Sequence, residues 1–451
     1  MMRVPPGHVR PAAGSSCTGR HYFLLALLLA LGALATGCGR FDRELQPGIY
    51  RATLTVPGGE LPFGLDVARE EKGLVLYLVN GEERVRVPAR VAEDGTVTAT
   101  VPGYETTLTI RVRGKKLTGE VTMTGRGAAT QTLPFAAEPG RTWRFYEEAA
   151  TDNVDVAGRW EVTFKSEDGA QARGVAEFTQ RFAQVTGTVL LSTGDQRYLA
   201  GEVHGDELRL SRFDGGSAYL YHASVNKRGA LVGEYWSGKT GHRTFVAVSN
   251  PDAELDVSDV ATGMRDPDVK LQFTFPDLDG KPVSLADPRF AGKVIIVALD
   301  GSWCPNCHDE ARLLMELYRQ YRAQGLEIVS LMFEHHGDFE RAASAARKFR
   351  DDLGVEYPML VAGTTDRDDA ATRLPQLTGV HAFPTTIFLD RTGHVRKIQA
   401  GFSGPATGLR YQRLVAEWTA LIESLLAGGV DVDAAVHTSP PSAVPTVPGA
   451  S

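Results

Sequence analysis

Ser302-Trp303-Cys304-Pro305-Asn306-Cys307-His308 decides the reading of this chain. Before it runs Lys293-Val294-Ile295-Ile296-Val297-Ala298-Leu299, a short apolar, β-branched run of buried-strand type. After it, between Asp309 and Ala323, apolar residues fall at Ala311, Leu314, Met315, Leu317, Tyr318 and Tyr321, which is helical spacing. The pattern predicts a strand, a tight turn and a helix whose first turn carries two cysteines. Unpaired amides at a helix N-terminus stabilise a thiolate, so Cys304 is the expected nucleophile. Cys307 is then placed to attack a mixed disulfide and release its partner.

The rest of the chain is read outward from that stretch. At 451 residues, it has room for about three domains. The formal charge of −7 is modest, and no basic stripe points to nucleic acid. The cysteines are Cys17, Cys38, Cys304 and Cys307. If the first two belong to a processed leader, the Cys304–Cys307 pair alone can close a disulfide inside the mature chain. A disulfide-stapled scaffold is thereby excluded.

Residues 1–37 read as an export signal. Arg3, Arg10 and Arg20 form a positive region, and Tyr22 to Leu34 is an apolar stretch too short to span a membrane comfortably. It ends in Leu34-Ala35-Thr36-Gly37-Cys38, which resembles a bacterial lipoprotein box, although Ala35 stands where leucine is commoner. The resemblance implies lipidation of Cys38. A plain secretory signal cut nearby is the alternative. Either way the chain enters a disulfide-permissive compartment. Gly39 and Arg40 offer no acidic retention signal, so the resemblance favours the outer over the inner membrane of the periplasm.

After a linker at 38–45, short β-rich runs alternate with Gly, Asp and Asn turns. They predict two all-β units of sandwich or barrel type, 46–148 and 155–250. Asn80-Gly81 is a type I′ hairpin signal. Gly48-Ile49-Tyr50 parallels Gly158-Arg159-Trp160, and Leu117-Thr118-Gly119-Glu120 parallels Leu231-Val232-Gly233-Glu234. These matches, about 110 residues apart, suggest an internal duplication. His204, His222 and His242 are separated and read as surface or turn residues. Asp195, Arg197 and Tyr198, like Phe213-Asp214-Gly215-Gly216, read as loop tips built on turn chemistry. The units are expected to space the last domain from a membrane or to bind a partner. Residues 251–267 are polar, acidic and aperiodic, and read as a linker.

From 268 to 427, strand-like and helix-like runs alternate, which defines an α/β layered domain. Three further stretches accompany the cysteines: Pro276-Asp277-Leu278-Asp279-Gly280-Lys281-Pro282-Val283-Ser284-Leu285, then Gly292-Lys293-Val294, then Phe383-Pro384-Thr385-Thr386 with Leu389, Asp390 and Gly393. Together these resemble thioredoxin-like proteins of the TlpA/ResA type, exported thiol–disulfide oxidoreductases. The resemblance covers roughly a third of the chain.

It implies Cys304 as nucleophile, Cys307 as buried resolving thiol, and Pro384 in the cis form with its loop against the disulfide. Trp303, Phe383 and Thr385 would border the site, with Phe383 lending backbone polar groups to a docked partner. Glu310 matches an acid of this subfamily that could relay the resolving thiol's proton. A first-turn acid is also what the helix dipole favours. Asp300 and Ala298 depart from the family's usual residues. Asp300 either serves as a nearby acid or caps the approach to the helix. Pro305-Asn306 replaces the common Gly-Pro, which leaves the potential open.

Cys304-Pro305-Asn306-Cys307-His308 also matches a haem-attachment pattern, and His335-His336 could approach the cysteines as zinc ligands. Trp303, the buried strand and the Pro-Thr loop suit a thioredoxin site rather than haem, and for zinc the spacing is atypical and His335-His336 reads as a solvated loop after a strand, so no cofactor and no metal are expected. A thiol peroxidase would need Pro and Thr or Ser where Val297 and Gly301 stand. The expected function is a membrane-anchored oxidoreductase that reduces disulfides of envelope proteins and is recharged by a membrane electron donor. The alternatives are a thiol peroxidase, or an envelope binding protein whose β units recognise a partner. The tail 428–451 is rich in Ala, Pro, Ser, Thr and Val and reads as disordered.

Overall fold

A computed structural model describes residues 45–124 and 129–428. The leader, Cys38 and the tail beyond Gly428 lie outside the described residues.

The first unit is a closed barrel of eight antiparallel strands. They are β1 Gly48–Val56, β2 Gly59–Glu70, β3 Gly73–Asn80 and β4 Glu83–Val91, then β5 Val97–Thr100, β6 Thr107–Arg113, β7 Lys116–Thr124 and β8 Thr130–Pro139. β8 returns to pair with β1. Alternate residues point inward, so Leu54, Phe63, Leu78, Leu108, Ile110 and Leu133 fill the interior.

The second unit has β9 Gly158–Lys165, β10 Gln171–Arg181, β11 Gln184–Leu191, the two-residue β12 Gly194–Asp195 and β13 Leu199–His204. It continues with β14 Glu207–Phe213, β15 Ala218–Val225, β16 Leu231–Ser237 and β17 Gly241–Ser249. β17 pairs with β9, β9 with β10, β10 with β11 and β11 with β13. The ring therefore closes through eight strands, with β12 appended to β11.

The repeated motifs occupy equivalent places. β1 and β9 open their rings, and β7 and β16 are the seventh strand of each. Gly119 and Gly233 do the same job. A side chain at Gly119 would lie 1.9 Å from the Thr109 carbonyl, and one at Gly233 2.1 Å from that of His222. Only glycine lets the neighbouring strand approach so closely.

The Asn80-Gly81 signal is corrected in type. Asn80 pairs with Glu83, so Gly81 and Glu82 form the turn, and of these only Gly81 has a positive φ (58°). A type I′ turn needs two such residues, the first of them at Asn80 if that residue led the turn. Asn80 is instead held in the strand. Its side chain is buried and brackets Phe213, donating to the carbonyl at 2.9 Å and accepting from the amide at 3.1 Å.

The barrels interlock rather than hang as separate spacers. Phe213, Ala218 and Leu220 of the second belong to the core of the first, and the Phe213 ring lies 5.1 Å from that of Phe63. Beyond the second barrel, Ala253 packs with Val175 and Leu190. Gly263 and Arg265, read as linker, already bond to the last domain through Thr378 and Gln376.

That domain opens on a small hairpin, β18 Thr274–Pro276 with β19 Pro282–Ser284. Its sheet has β20 Val294–Asp300 at the centre, flanked by β21 Leu326–Glu334 and then β22 Met359–Thr364 on one side, and by β23 Thr385–Leu389 and β24 Val395–Ala400 on the other. β20, β21 and β22 are parallel; β23 runs against β20. The helices are α1 Pro305–Tyr321, α2 Phe339–Leu353, α3 Arg367–Arg373 and α4 Leu409–Leu426.

All of β20 is buried, and its period of two divides it between two cores. Val294, Ile296 and Ala298 face α1 and α4, while Ile295, Val297 and Leu299 face the side that holds α3. This is the thioredoxin-like fold, and it carries the cysteines out of the end of its central strand.

Candidate active site

Cys304 is the N-cap of α1. Its sulfur accepts from the Cys307 amide at 3.2 Å, and Pro305 takes the first helical position, where a missing N–H costs nothing. Asp300 therefore does not cap this helix. Cys304 is 4 % exposed and Cys307 fully buried, and both are free thiols. Opposite them, the Phe383–Pro384 peptide is cis, and the Phe383 carbonyl lies 3.5 Å from the Cys304 sulfur. Trp303 borders the nucleophile. Its indole N–H donates to the Phe333 carbonyl at 2.9 Å, and its ring lies 5.0 Å from that of His335 and 5.8 Å from that of Phe383. Thr385 is buried and spends its hydroxyl on the Ala382 carbonyl at 2.8 Å, fixing the loop.

Behind Cys307 sits a buried pair of acids. Asp300 ends β20, accepts from the Ser330 hydroxyl at 2.7 Å, and lies against both the Cys307 thiol and Glu310. Glu310 accepts from the Thr386 hydroxyl. One oxygen of each carboxyl, Asp300 Oδ1 and Glu310 Oε2, has no hydrogen-bond donor among the described residues. A single proton shared between the two carboxyls satisfies both. Burial pushes Asp300 up to about 6 and raises Glu310 and the Cys307 thiol well above their ordinary ranges. The site thus has a buried thiol that resists ionisation and an acid beside it able to take its proton.

A third acid, Glu334, ends β21 and accepts from the Ser302 amide at 2.9 Å and its hydroxyl at 2.8 Å. Its place at the end of a fully buried, mostly apolar strand was the available signal for it. Burial pushes this carboxyl up to about 8. The folded protein holds its proton up to that pH, whereas the unfolded chain releases it near 4.5. Between those values the folded state binds more protons, so this group's stabilisation is complete below about 4.5 and lost as pH rises through about 8. Glu334→Gln is expected to make the fall of unfolding free energy across this window shallower by one proton, as read from urea midpoints at fixed pH values. An unchanged slope would contradict the assignment.

His308, which a haem reading needs as an axial ligand, is engaged elsewhere. Its ring stacks on Tyr104 of the first barrel at 3.9 Å and meets Phe349 edge-on at 4.8 Å. Its Nε2 lies 2.8 Å from the Ser302 carbonyl, and burial lowers its pKa to about 3, so the ring is neutral and Nε2–H donates. His335 faces Trp303, and His336 lies 3.3 Å from the Arg341 guanidinium. At Gly301 a side chain would come within 2.2 Å of the Trp303 indole nitrogen, so the hydroxyl residue of a peroxidase loop has no room there.

Asp195 and Arg197, read as loop-tip residues, are buried against the redox domain, and Asp214 is buried behind Arg197. Arg197 contacts three carboxylates: Glu83 of the first barrel at 2.8 Å, Asp214 of the second at 2.6 Å, and Asp309 of α1 at 2.8 Å through Nε and 3.1 Å through Nη2. The Nε contact is a charge contact; Nη2 makes the aligned hydrogen bond. Arg212 adds a second buried guanidinium on Asp214. Asp195 accepts from the Asn306 side chain, between the two cysteines, at 3.1 Å. On the other flank a shallow cleft runs past Tyr104, Gly216, Trp303, Glu334 and His335.

The structure thus sets a Cys-X-X-Cys, its first cysteine capping a helix that follows the central strand, against a cis-proline loop on a thioredoxin-like fold. The AhpC/TSA family model matches residues 264–398. Thiol-disulfide oxidoreductase ResA of Geobacillus thermodenitrificans is 32% identical over 142 residues, which is 32% of this chain and 71% of that protein. ResA of Bacillus thuringiensis strain Al Hakam is 28% identical over 123 residues, 27% of this chain and 62% of its own length. Among solved structures, a thioredoxin-family thiol:disulfide interchange protein of Chlorobium tepidum covers 36% of this chain and 99% of its own, at 20% identity and a TM-score of 0.28. Through its C-terminal third, the chain belongs to the ResA family of thiol-disulfide oxidoreductases.

Proposed function

We propose that this protein is an exported, lipid-anchored reductase of disulfides in other envelope proteins, acting through Cys304 and Cys307. The observation that carries the reading is the Cys304 sulfur, held at the N-cap by the Cys307 amide and facing the Phe383 carbonyl beside Pro384. A partner's extended chain would pair with the Phe383 backbone and so bring its disulfide to that sulfur.

In the first step the Cys304 thiolate attacks one partner sulfur. A Cys304–partner S–S bond forms, the partner's own S–S bond breaks, and its second sulfur leaves as a thiolate that takes a proton. Cys307 then gives its proton to the Asp300–Glu310 pair and attacks the Cys304 sulfur. The Cys304–Cys307 disulfide forms, the mixed disulfide breaks, and the first partner sulfur leaves. Two electrons pass from the cysteine pair to the partner, and a membrane-borne dithiol donor restores the pair by the reverse exchange. The anchor is Cys38 and the compartment the periplasm, with the outer membrane favoured by the residues after Cys38; the support for these is the leader's pattern.

A short peptide dimer linked by cystine tests the chemistry. The wild-type protein is expected to release peptide thiol and lose two thiols of its own. Cys307→Ser should accumulate a peptide conjugate at Cys304, seen by intact mass, and Cys304→Ser should accumulate none. Consumption of the dimer by Cys304→Ser, or none by the wild type, would sink the proposal.

A further inference from the structure

The dipeptide between the cysteines is gripped from outside its own domain. Asp195, at the end of β12 in the second barrel, is 6 % exposed. One of its oxygens, Oδ2, accepts from the Asn306 side chain at 3.1 Å and from the Gly404 amide at 2.5 Å. The other accepts from the Arg197 amide at 2.6 Å. The carboxyl thus spans barrel, active-site helix and the loop after β24. The backbones are shaped for this approach. Gly194 has φ +139°, and a side chain there would lie 2.8 Å from Asn306 Oδ1; at Gly401, φ +74°, one would lie 2.7 Å from the Ser192 carbonyl. Arg197 fixes the same face through Asp309.

Asn306 is the second helical residue of α1, and the Cys307 amide that follows it points at the Cys304 sulfur. A hold on the Asn306 side chain is therefore a hold on the turn that presents the amide. We propose that Asp195 is a positioning residue of the exchange site, acting through Asn306, so that the potential of the Cys304–Cys307 couple is set jointly by the second barrel and the redox domain. This rests on the reading of the cysteines as an exchange pair. The bond orients the dipeptide that presents the Cys307 amide to the Cys304 sulfur. Loss of the contact lets the first turn relax toward the sulfur and favours the reduced pair, which makes the couple more oxidising.

The test is a double-mutant cycle on the potential of the full chain, read by thiol content in glutathione redox buffers. Asp195→Ala is expected to shift the exchange equilibrium about tenfold toward the dithiol, which is about 30 mV for a two-electron couple. Asn306→Ala, confined to the redox domain, should shift it in the same direction. With Asn306→Ala already present, adding Asp195→Ala should change it less than threefold. Asp195→Asn serves where alanine loosens the barrel, because it keeps the shape while weakening the acceptor set; it should shift the equilibrium in the same direction. Single variants whose potential equals the wild type's would overturn the inference, and so would equal shifts by Asp195→Ala in both backgrounds. A wild-type protein with no reversible couple would instead overturn the exchange reading itself.

Discussion

Replacing Arg197 by alanine will cost the folded protein about 3–5 kcal/mol and free the barrels from α1, because it leaves buried carboxylates without their shared partner. Arg197 is 7 % exposed and stands among Glu83, Asp214 and Asp309, each less than a tenth exposed. Burial raises the Glu83 pKa even with both guanidiniums in place, so that carboxylate has no reserve of solvation. The backbone argues the same way. Arg197 has φ +53°, a conformation that a residue with a side chain adopts at a cost of about 1–2 kcal/mol. Arg197→Gly would relieve that strain yet lose the network, and the network is the larger quantity, so it too should be destabilised. Two readouts check this: the urea midpoint should fall, and alkylation of Cys304, now 4 % exposed, should speed up. A variant that melts with the wild type and alkylates at the same rate would show that the seam contributes nothing.

The second large effect is kinetic. Asp300→Asn should slow the attack of Cys307 on the mixed disulfide by roughly 10²-fold or more, the usual worth of a positioned general base. Cys307 is fully buried and its thiol is raised well above its ordinary value by that burial. It cannot act as a nucleophile until something takes its proton, and Asp300 is the carboxyl lying against it. Asparagine keeps the Ser330 contact but cannot accept a proton. The first step, at Cys304, should keep its rate. Because Asp300 titrates at about 6, resolution in the wild type should rise with pH through that value, and the inflection should vanish in the variant. Glu310→Gln should have the smaller effect, since Glu310 acts through Asp300. Stopped-flow release of peptide from the mixed disulfide separates the two steps, and equal resolution rates would remove Asp300 from the mechanism.

What could be read in the sequence follows from how local each signal is. The apolar run of β20, the helical spacing of α1 and the cysteines between them lie within one stretch, and each obeys its own period. The duplication was visible because Gly119 and Gly233 meet the same crowding against a neighbouring strand. β2, β4 and β8 each carry a proline, Pro62, Pro88 and Pro134, which argues against a strand in the sequence until a closed barrel supplies the pairing. Asp300 was recognised as a departure, but the choice between capping and acid chemistry needed its side chain's direction. The seam was not legible at all. Asp195 and Arg197 look like turn residues by composition, and their partners Asn306 and Asp309 lie more than a hundred positions away, where no periodicity links them.

The plug that joins the barrels bears on how the chain matures. A polypeptide is made from its N-terminus, and the last strand of the first barrel ends at Pro139. Phe213, Ala218 and Leu220, which complete that barrel's core, emerge only later. Until they do, Phe63 lacks the Phe213 ring that packs against it, and the first barrel's core is incomplete. Completion of that core waits on strands of its own duplicate, so the two barrels fold as a coupled pair, and the face that meets the redox domain carries residues of both.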